Sequence, residues 1–304
     1  MALPAETPAD PLAPLEPYLG SLPVLPDLVM RLVTLDMNSD EAYDEVVSIA
    51  EEDPTFAARV LALANSAALA PGAPVTSIPQ AIARIGAWRI SELVSSMAVQ
   101  DVFAARGDAA RDLWIHSVET AVLCRGLADL VGGPAVPAGE AYLLGLVHDL
   151  GRSVLLTAEE RSPELFAGYG SEDLARDEVL ATGRLDVERE RRCLGFDHAV
   201  VGGRAAERIG LGPELAARIA AHHEPGEDPL ACLLYLAEGF SVHARLRPEL
   251  FVADSPDRDA LVLLAPRLLP EAWAGAPPLD LEAALDRVPE LLTEAWHLTE
   301  RLGG

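Results

Sequence analysis

The sequence predicts an all-α protein, and three observations carry that reading. Half of the residues are hydrophobic but only 5% are aromatic. The core must therefore be mostly Leu, Val and Ala, and Ala and Leu are strong helix formers. Apolar residues recur at helical spacing through most of the chain. No segment shows sustained strand-like alternation between turn signals, so any sheet is minor.

Taken in order, residues 1–17 are rich in Pro and acidic side chains and read as an irregular lead-in. From "LPVLPDLVMRLVTL" the pattern turns helical, with Asp27 after Pro26 as a candidate cap. A second helix is expected from Asp40 to Glu51. In "EEDPTFAARVLALANSA", Asp53 can cap, Pro54 suits the first helical position, and Phe56, Val60, Leu63 and Ala64 share one face. "APGAPVTS" is a loop, after which a short and a longer helix are divided near Gly86. The charged stretch "AARGDAARD" separates a helical N-terminal half, residues 18–108, from a second half, residues 109–245. That second half holds "LWIHSVETAVLCRGLADLV", "AYLLGLVHDLG", a helix near 172–182, "ERERRCLGFDHAVVGGRAAERIG", "PELAARIAAHHEP" and "PLACLLYLAEGFSVHARL". Residues 246–304 form an extension ending in one or two helices; its Trp273 and Trp296 serve to cover the core or to bind another chain.

Net charge and composition exclude several classes of function. The formal net charge is −25, and every basic residue is arginine. Such a surface repels phosphate backbones and anionic lipid, which disfavours nucleic-acid and membrane binding. A small anionic ligand would need a metal or local arginines to offset that field. Cys124, Cys193 and Cys232 are far apart and lack CxxC spacing, as expected of thiols in a reducing cytoplasm. The first twenty residues show neither a basic nor a continuous apolar leader segment, and no apolar run approaches the roughly 20 residues needed to cross a bilayer. A soluble, cytoplasmic protein is the expectation. Abundant Ala, Arg, Gly and Pro without lysine point to a GC-rich bacterial genome.

Six of the seven histidines fall in the second half, and five of these stand with two acids on or next to otherwise apolar helices. They are His116, His148 with its neighbour Asp149, His198, and the pair His222 and His223; Glu238 follows. Each alone has a plain structural reading: a hydrogen-bonded core histidine, an acid at a helix start, histidines at the negative end of a helix dipole. As a set they are harder to dismiss. Adjacent helical residues point about 100° apart, so His-Asp and His-His pairs can straddle a cleft between helices. Helical bundles build metal sites from inward side chains in this way. Imidazole with carboxylate suits Fe, Mn, Zn or Ni, and a carboxylate such as Asp149 can bridge two cations.

The motifs "LWIHS", "GLVHDLGR", "FDHAVVGG" and "HHEP" resemble the HD superfamily of metal-dependent phosphohydrolases. Together with "IAEEDPTFAARVLALANSA" and "SIPQAIARIGAWRISEL", they resemble one branch of it, the HDOD domain, over roughly residues 18–245. The resemblance implies a multi-helix fold in which an N-terminal helical subdomain packs on an HD-like helical subdomain. It also implies ligand positions at His116, His148 and Asp149, with Glu238 where the superfamily usually has Asp. Histidines resembling His198, His222 and His223 occur in the related HD-GYP phosphodiesterases. The sequence departs from those enzymes in lacking Gly-Tyr-Pro after His223 and in carrying Arg152 where they commonly have lysine. The extra methylene of Glu238 shifts its oxygens by about an ångström, against a tolerance of about 0.2 Å in ligand distances.

Two functions follow from the resemblance. HDOD domains are generally regulatory, so the first is a signalling protein that binds a partner protein or a small nucleotide without turnover. The second is a metal-dependent phosphohydrolase acting on a nucleotide or cyclic dinucleotide, with His148, Asp149 and Arg152 in the catalytic role. The implied cofactor is one or two divalent cations, or a ligand set retained without any. Oligomeric state is not encoded in any feature of the sequence.

Overall fold

The computed structural model describes residues 10–35, 39, 41–52, 54–65, 74–103, 106–133, 135–166, 184–246 and 279–302. Among them, all regular structure is helical. A 3-10 turn at Ala13–Leu15 leads into α1 (Glu16–Leu19), followed by α2 (Asp27–Val33), α3 (Glu41–Glu52), α4 (Pro54–Ala64), α5 (Ile78–Ile85) and α6 (Ala87–Gln100). The second half comprises α7 (Asp108–Val131), α8 (Ala138–Val147), α9 (Leu150–Arg161), α10 (Arg184–Leu194), α11 (His198–Arg208), α12 (Gly212–Ala220) and α13 (Pro229–Leu246). The last described helix is α14 (Leu281–Arg301).

Two apolar clusters organise these helices. The smaller one joins Val46, Ile49, Phe56, Val60, Ile78, Ile82 and Ile90 from α3 to α6. Phe56 and Val60 are the residues whose spacing marks α4 in the sequence. The larger cluster centres on α7, which packs along α8, α13 and α14. Helix α9 lies against α11, and α11 against α12. With 24 residues, α7 spans roughly 36 Å at 1.5 Å per residue. It is therefore long enough to carry His116 near one end and to seat α14 near the other. Leu291 of α14 fits onto Gly126 of α7, where an added Cβ would lie 2.4 Å from a Leu291 methyl. No described helix is long and apolar enough to cross a membrane.

Several local expectations change. Residues 13–19 are helical rather than irregular. Pro14 and Pro17 suit first-turn positions, and Leu12, Leu15 and Leu19 recur at helical spacing and are buried. Asp27 is the first residue of α2 and not its cap; Pro26 holds the cap position, and no side chain caps that end. Glycine at residue 86, with φ of 83°, divides α5 from α6 as expected, because this backbone region is open to glycine. In α14, Leu285, Val288, Leu291 and Leu298 are buried while Trp296 is exposed. Asp53, the helix expected near 172–182 and Trp273 lie outside the described residues.

Candidate metal centre

The apolar run "GLVHDLGRSVLL" is not one helix. It breaks at His148 and Asp149, between α8 and α9. Asp149 has φ −95° and ψ 17°, close to the bridge region where many site residues sit. It occupies the N-cap position of α9, yet its side chain makes no capping hydrogen bond. An aspartate there ordinarily bonds the first-turn N–H groups; this one turns its carboxylate to the histidines.

Two close backbone approaches set that geometry. Gly145 of α8 crosses α7 so tightly that an added Cβ would lie 2.7 Å from the Ala121 Cα. Gly151 meets the start of α11, where an added Cβ would lie 1.9 Å from the His198 carbonyl oxygen. Only glycine permits these helices to bring His116, the His148-Asp149 pair and His198 together.

Four of the five cluster histidines are oriented by a hydrogen bond at Nδ1. His148 Nδ1 donates to the Gly145 carbonyl at 2.8 Å, and His222 Nδ1 to the Ile219 carbonyl at 2.7 Å. His198 Nδ1 donates to Glu190 Oε2 at 2.7 Å, and the same oxygen accepts the His198 backbone N–H at 2.7 Å. Ser241 donates its hydroxyl to Glu119 Oε2 at 3.1 Å, so it accepts from His116 Nδ1 at 3.2 Å. All four rings thus carry their proton on Nδ1 and present a lone pair at Nε2.

Those lone pairs converge on one carboxylate. His148 and His116 Nε2 lie 3.6 and 3.9 Å from Asp149 Oδ2. His198 and His222 Nε2 lie 3.4 and 3.9 Å from Oδ1. Arg152 Nε donates to Oδ1 at 3.2 Å. Glu238 joins His116 and His148 in one group whose ligand atoms lie within 4.8 Å of one another; His198, His222 and His223 form a second such group. The structure therefore brings all seven sequence-predicted residues to one place. His148, Asp149, His198 and His222 are 0% exposed, His116 2% and Glu238 5%, whereas His223 is half-buried.

Electrostatics define what the cluster lacks. Burial, with His198 and His148 close by, pushes His222 down to about 3. Burial likewise lowers His148 and His223, against the pull of Asp149. These rings are neutral at pH 7. Burial alone would raise Asp149, but Arg152 and the surrounding histidines hold it well below the usual carboxylate range. Glu190 is also desolvated, yet His198 brings it down to about 2. The result is a buried carboxylate faced by imidazole lone pairs, an arrangement of acceptors. His148 Nε2, His222 Nε2 and Asp149 Oδ2 are buried without any hydrogen-bond partner. Buried polar atoms of native proteins are rarely left so, and a cation is the species that would satisfy all three. The nitrogen and oxygen donor set fits Fe, Mn, Zn or Ni.

Glu190, Ser241 and Glu119 are missed by sequence reasoning. Glu190 sits in "ERERRC", which reads as a solvated charge run, yet it is 0% exposed. Ser241 did carry a signal, since it lies one turn after Glu238 on the same helix. A cavity of about 720 Å³ opens elsewhere, lined by Val33, Trp88, Arg125, Asp129 and Gly139. It includes none of the cluster histidines.

An all-helical chain arranged around a buried His-Asp doublet, with further histidines from neighbouring helices, is an HD-type protein. The chain belongs to the HDOD domain family, which it matches over residues 22–225. It is 24% identical to a candidate phosphohydrolase from Shewanella amazonensis SB2B, with a TM-score of 0.63 and coverage of 95% of this chain and 98% of that one. An HDOD domain protein with unknown function from Geobacter sulfurreducens is 21% identical, with a TM-score of 0.61 over 96% and 97% of the two chains. A candidate signal transduction protein from Marinobacter aquaeolei VT8 is 22% identical, with a TM-score of 0.61 over 95% of this chain and 60% of that one. At these identities the likeness shows the fold. An uncharacterized protein of Treponema pallidum (strain Nichols) is 25% identical over 205 residues, which are 67% of this chain but 38% of that protein.

Proposed function

We propose that the chain is a regulatory HDOD protein of the bacterial cytoplasm. In this reading it holds a divalent cation in a sealed His-Asp cluster and acts by binding a partner protein or a small nucleotide, without turnover. The observation that carries this reading is the combination of converging lone pairs with near-complete burial. Hydrolysis by a metal site requires an open coordination position that a phosphoester can reach. Here every ligand candidate except His223 is at most 5% exposed.

A bound cation would supply Lewis acidity and a lowered water pKa in such a cluster. The chain's own residues perform the remaining tasks. Glu190 and Ser241 fix two imidazoles with Nε2 inward. Arg152 keeps Asp149 ionised, and Gly151 lets α9 and α11 close over the site. Likeness to a candidate signal transduction protein agrees with a regulatory role. The cavity beside Trp88 has a volume in the range of small-ligand sites.

One observation favours the hydrolase reading: half-buried His223 marks an edge where the cluster approaches solvent. The discriminating experiment is turnover by Mn²⁺-loaded protein on bis(p-nitrophenyl) phosphate and cyclic di-GMP. The regulatory reading expects no rate above that of His148→Ala. A rate that His148→Ala abolishes would replace it with the hydrolase.

A further inference from the structure

The cavity of about 720 Å³ lies apart from the histidine cluster, where helices of the N-terminal half meet those of the second half. Its floor is fixed by Gly139 at the start of α8, where an added Cβ would overlap the Val33 carbonyl at the end of α2. Its apolar wall includes Leu35, Val136 and the half-buried indole of Trp88 on α6. Among the described lining residues two carry charge, Arg125 and Asp129 of α7.

Arg125 is already engaged by acids. It is 7% exposed, its Nε lies 2.7 Å from Glu92 Oε1, and its two Nη atoms donate to Glu294 Oε2 at 2.7 Å and Asp129 Oδ2 at 3.4 Å. Arg89 bridges the same Glu92 and Glu294. Two guanidiniums thus serve three carboxylates, and Asp129 is held least, with its side chain 47% exposed. Arg287 and Arg301 of α14 also act on this group, the first on Asp129 and the second on Glu294, but Glu290 and Glu300 stand beside them. Four guanidiniums therefore face five carboxylates. The helix ends add to that sign, because the C-terminal ends of α2 and α7 line the cavity against the N-terminal end of α8 alone. An indole face also attracts cations, and the Arg125 guanidinium lies 6.0 Å from the Trp88 ring centroid. A phosphate entering this cavity would meet Asp129 and a guanidinium already shared among acids. A positively charged group would meet a carboxylate and an aromatic face.

We propose that this cavity is a binding site for a small organic cation, an amine or guanidinium on an apolar body, held between the Asp129 carboxylate and the Trp88 indole. The site goes beyond the regulatory reading and does not depend on a metal in the His-Asp cluster. The test is isothermal titration calorimetry of the full chain with phenethylamine, tryptamine, agmatine and spermidine, set against uncharged phenethyl alcohol and anionic AMP. At least one of the four cations is expected to bind saturably, one molecule per chain, with phenethyl alcohol and AMP weaker by about tenfold or more. Asp129→Asn and Trp88→Leu should each weaken that cation by about tenfold. Glu214→Gln, which removes an equal charge from an exposed position on α12, should leave its binding unchanged. That control separates the cavity from general attraction to a chain of net charge −25. If Trp88→Leu fails to fold, the Asp129→Asn and Glu214→Gln pair decides the same question, because Asp129 is half-exposed and the change to Asn keeps its shape. Absence of saturable binding by all four cations at millimolar concentration, AMP binding as tight as theirs, or an equal loss in Glu214→Gln would each overturn the proposal. Tight AMP binding would do so while leaving the regulatory reading standing.

Discussion

Substituting Gly151 by alanine perturbs the contact on which the candidate centre depends. The new Cβ would stand 1.9 Å from the His198 carbonyl oxygen, 2.6 Å from the Gly202 nitrogen and 2.8 Å from the His198 carbonyl carbon. All three are backbone atoms, so no side-chain rotation relieves the clash. Relief requires α9 and α11 to separate by about an ångström, the usual response when a packed interior is overfilled. Overpacking of this kind costs about 1–3 kcal/mol, and the backbone character of the contact places this case near 3. The same separation carries His198, the first residue of α11, away from Asp149 Oδ1, now 3.4 Å distant from its Nε2. Gly239 on α13 provides the control, because an added Cβ there meets nothing within 4 Å. Within a helix that change is neutral or stabilising by up to about 1 kcal/mol. Urea unfolding of both variants, with and without Mn²⁺, reads the two effects. Gly151→Ala should lower the midpoint and reduce the stabilisation by Mn²⁺, and Gly239→Ala should do neither. A Gly151→Ala protein as stable as wild type, with unchanged response to Mn²⁺, would refute the close-approach argument.

Three further outcomes follow from the same geometry. Glu190→Gln keeps the shape but weakens the charged hydrogen bonds to His198; it should cost about 1–3 kcal/mol in urea unfolding. It should also lower Mn²⁺ affinity about 10–100-fold, because Glu190 orients the His198 ring in the candidate centre. For His148 and His222 the folded-state pKa lies below the unfolded value, so the unfolded chain takes up protons first as pH falls. Stability should be whole above about pH 6.5 and fall by about 1.4 kcal/mol per pH unit for each of these histidines. The loss continues toward about 3 for His222, with lowered Asp149 and Glu190 adding to it below about pH 4; a flat urea midpoint between pH 7 and 5 would contradict this. Leu291→Ala, which empties the knob seated on Gly126, should cost about 2–5 kcal/mol by thermal unfolding and loosen α14 from α7.

The fold class was legible because helical spacing of apolar residues directly reports a buried face. Phe56, Val60 and Ile82 lie in the smaller apolar cluster for that reason. The seven candidate ligands were legible from residue type, since histidines and acids on apolar helices stand out. Glu190 was not, because a buried acid inside a run of arginines has no local signature; its burial depends on the turn that brings His198 back onto it. The helical start at residues 13–19 was obscured by its prolines, which read as loop signals but also suit first turns. The tautomers and the inequality of the two Asp149 oxygens belong to the three-dimensional arrangement alone.

Anomalous diffraction from crystals grown with Mn²⁺ tests the central claim most directly. The account expects a manganese peak among the Nε2 atoms of the cluster histidines and the Asp149 carboxylate, with the Glu190 and His198 contact intact. Diffraction from crystals held in millimolar Mn²⁺ that shows no peak among those atoms would contradict it.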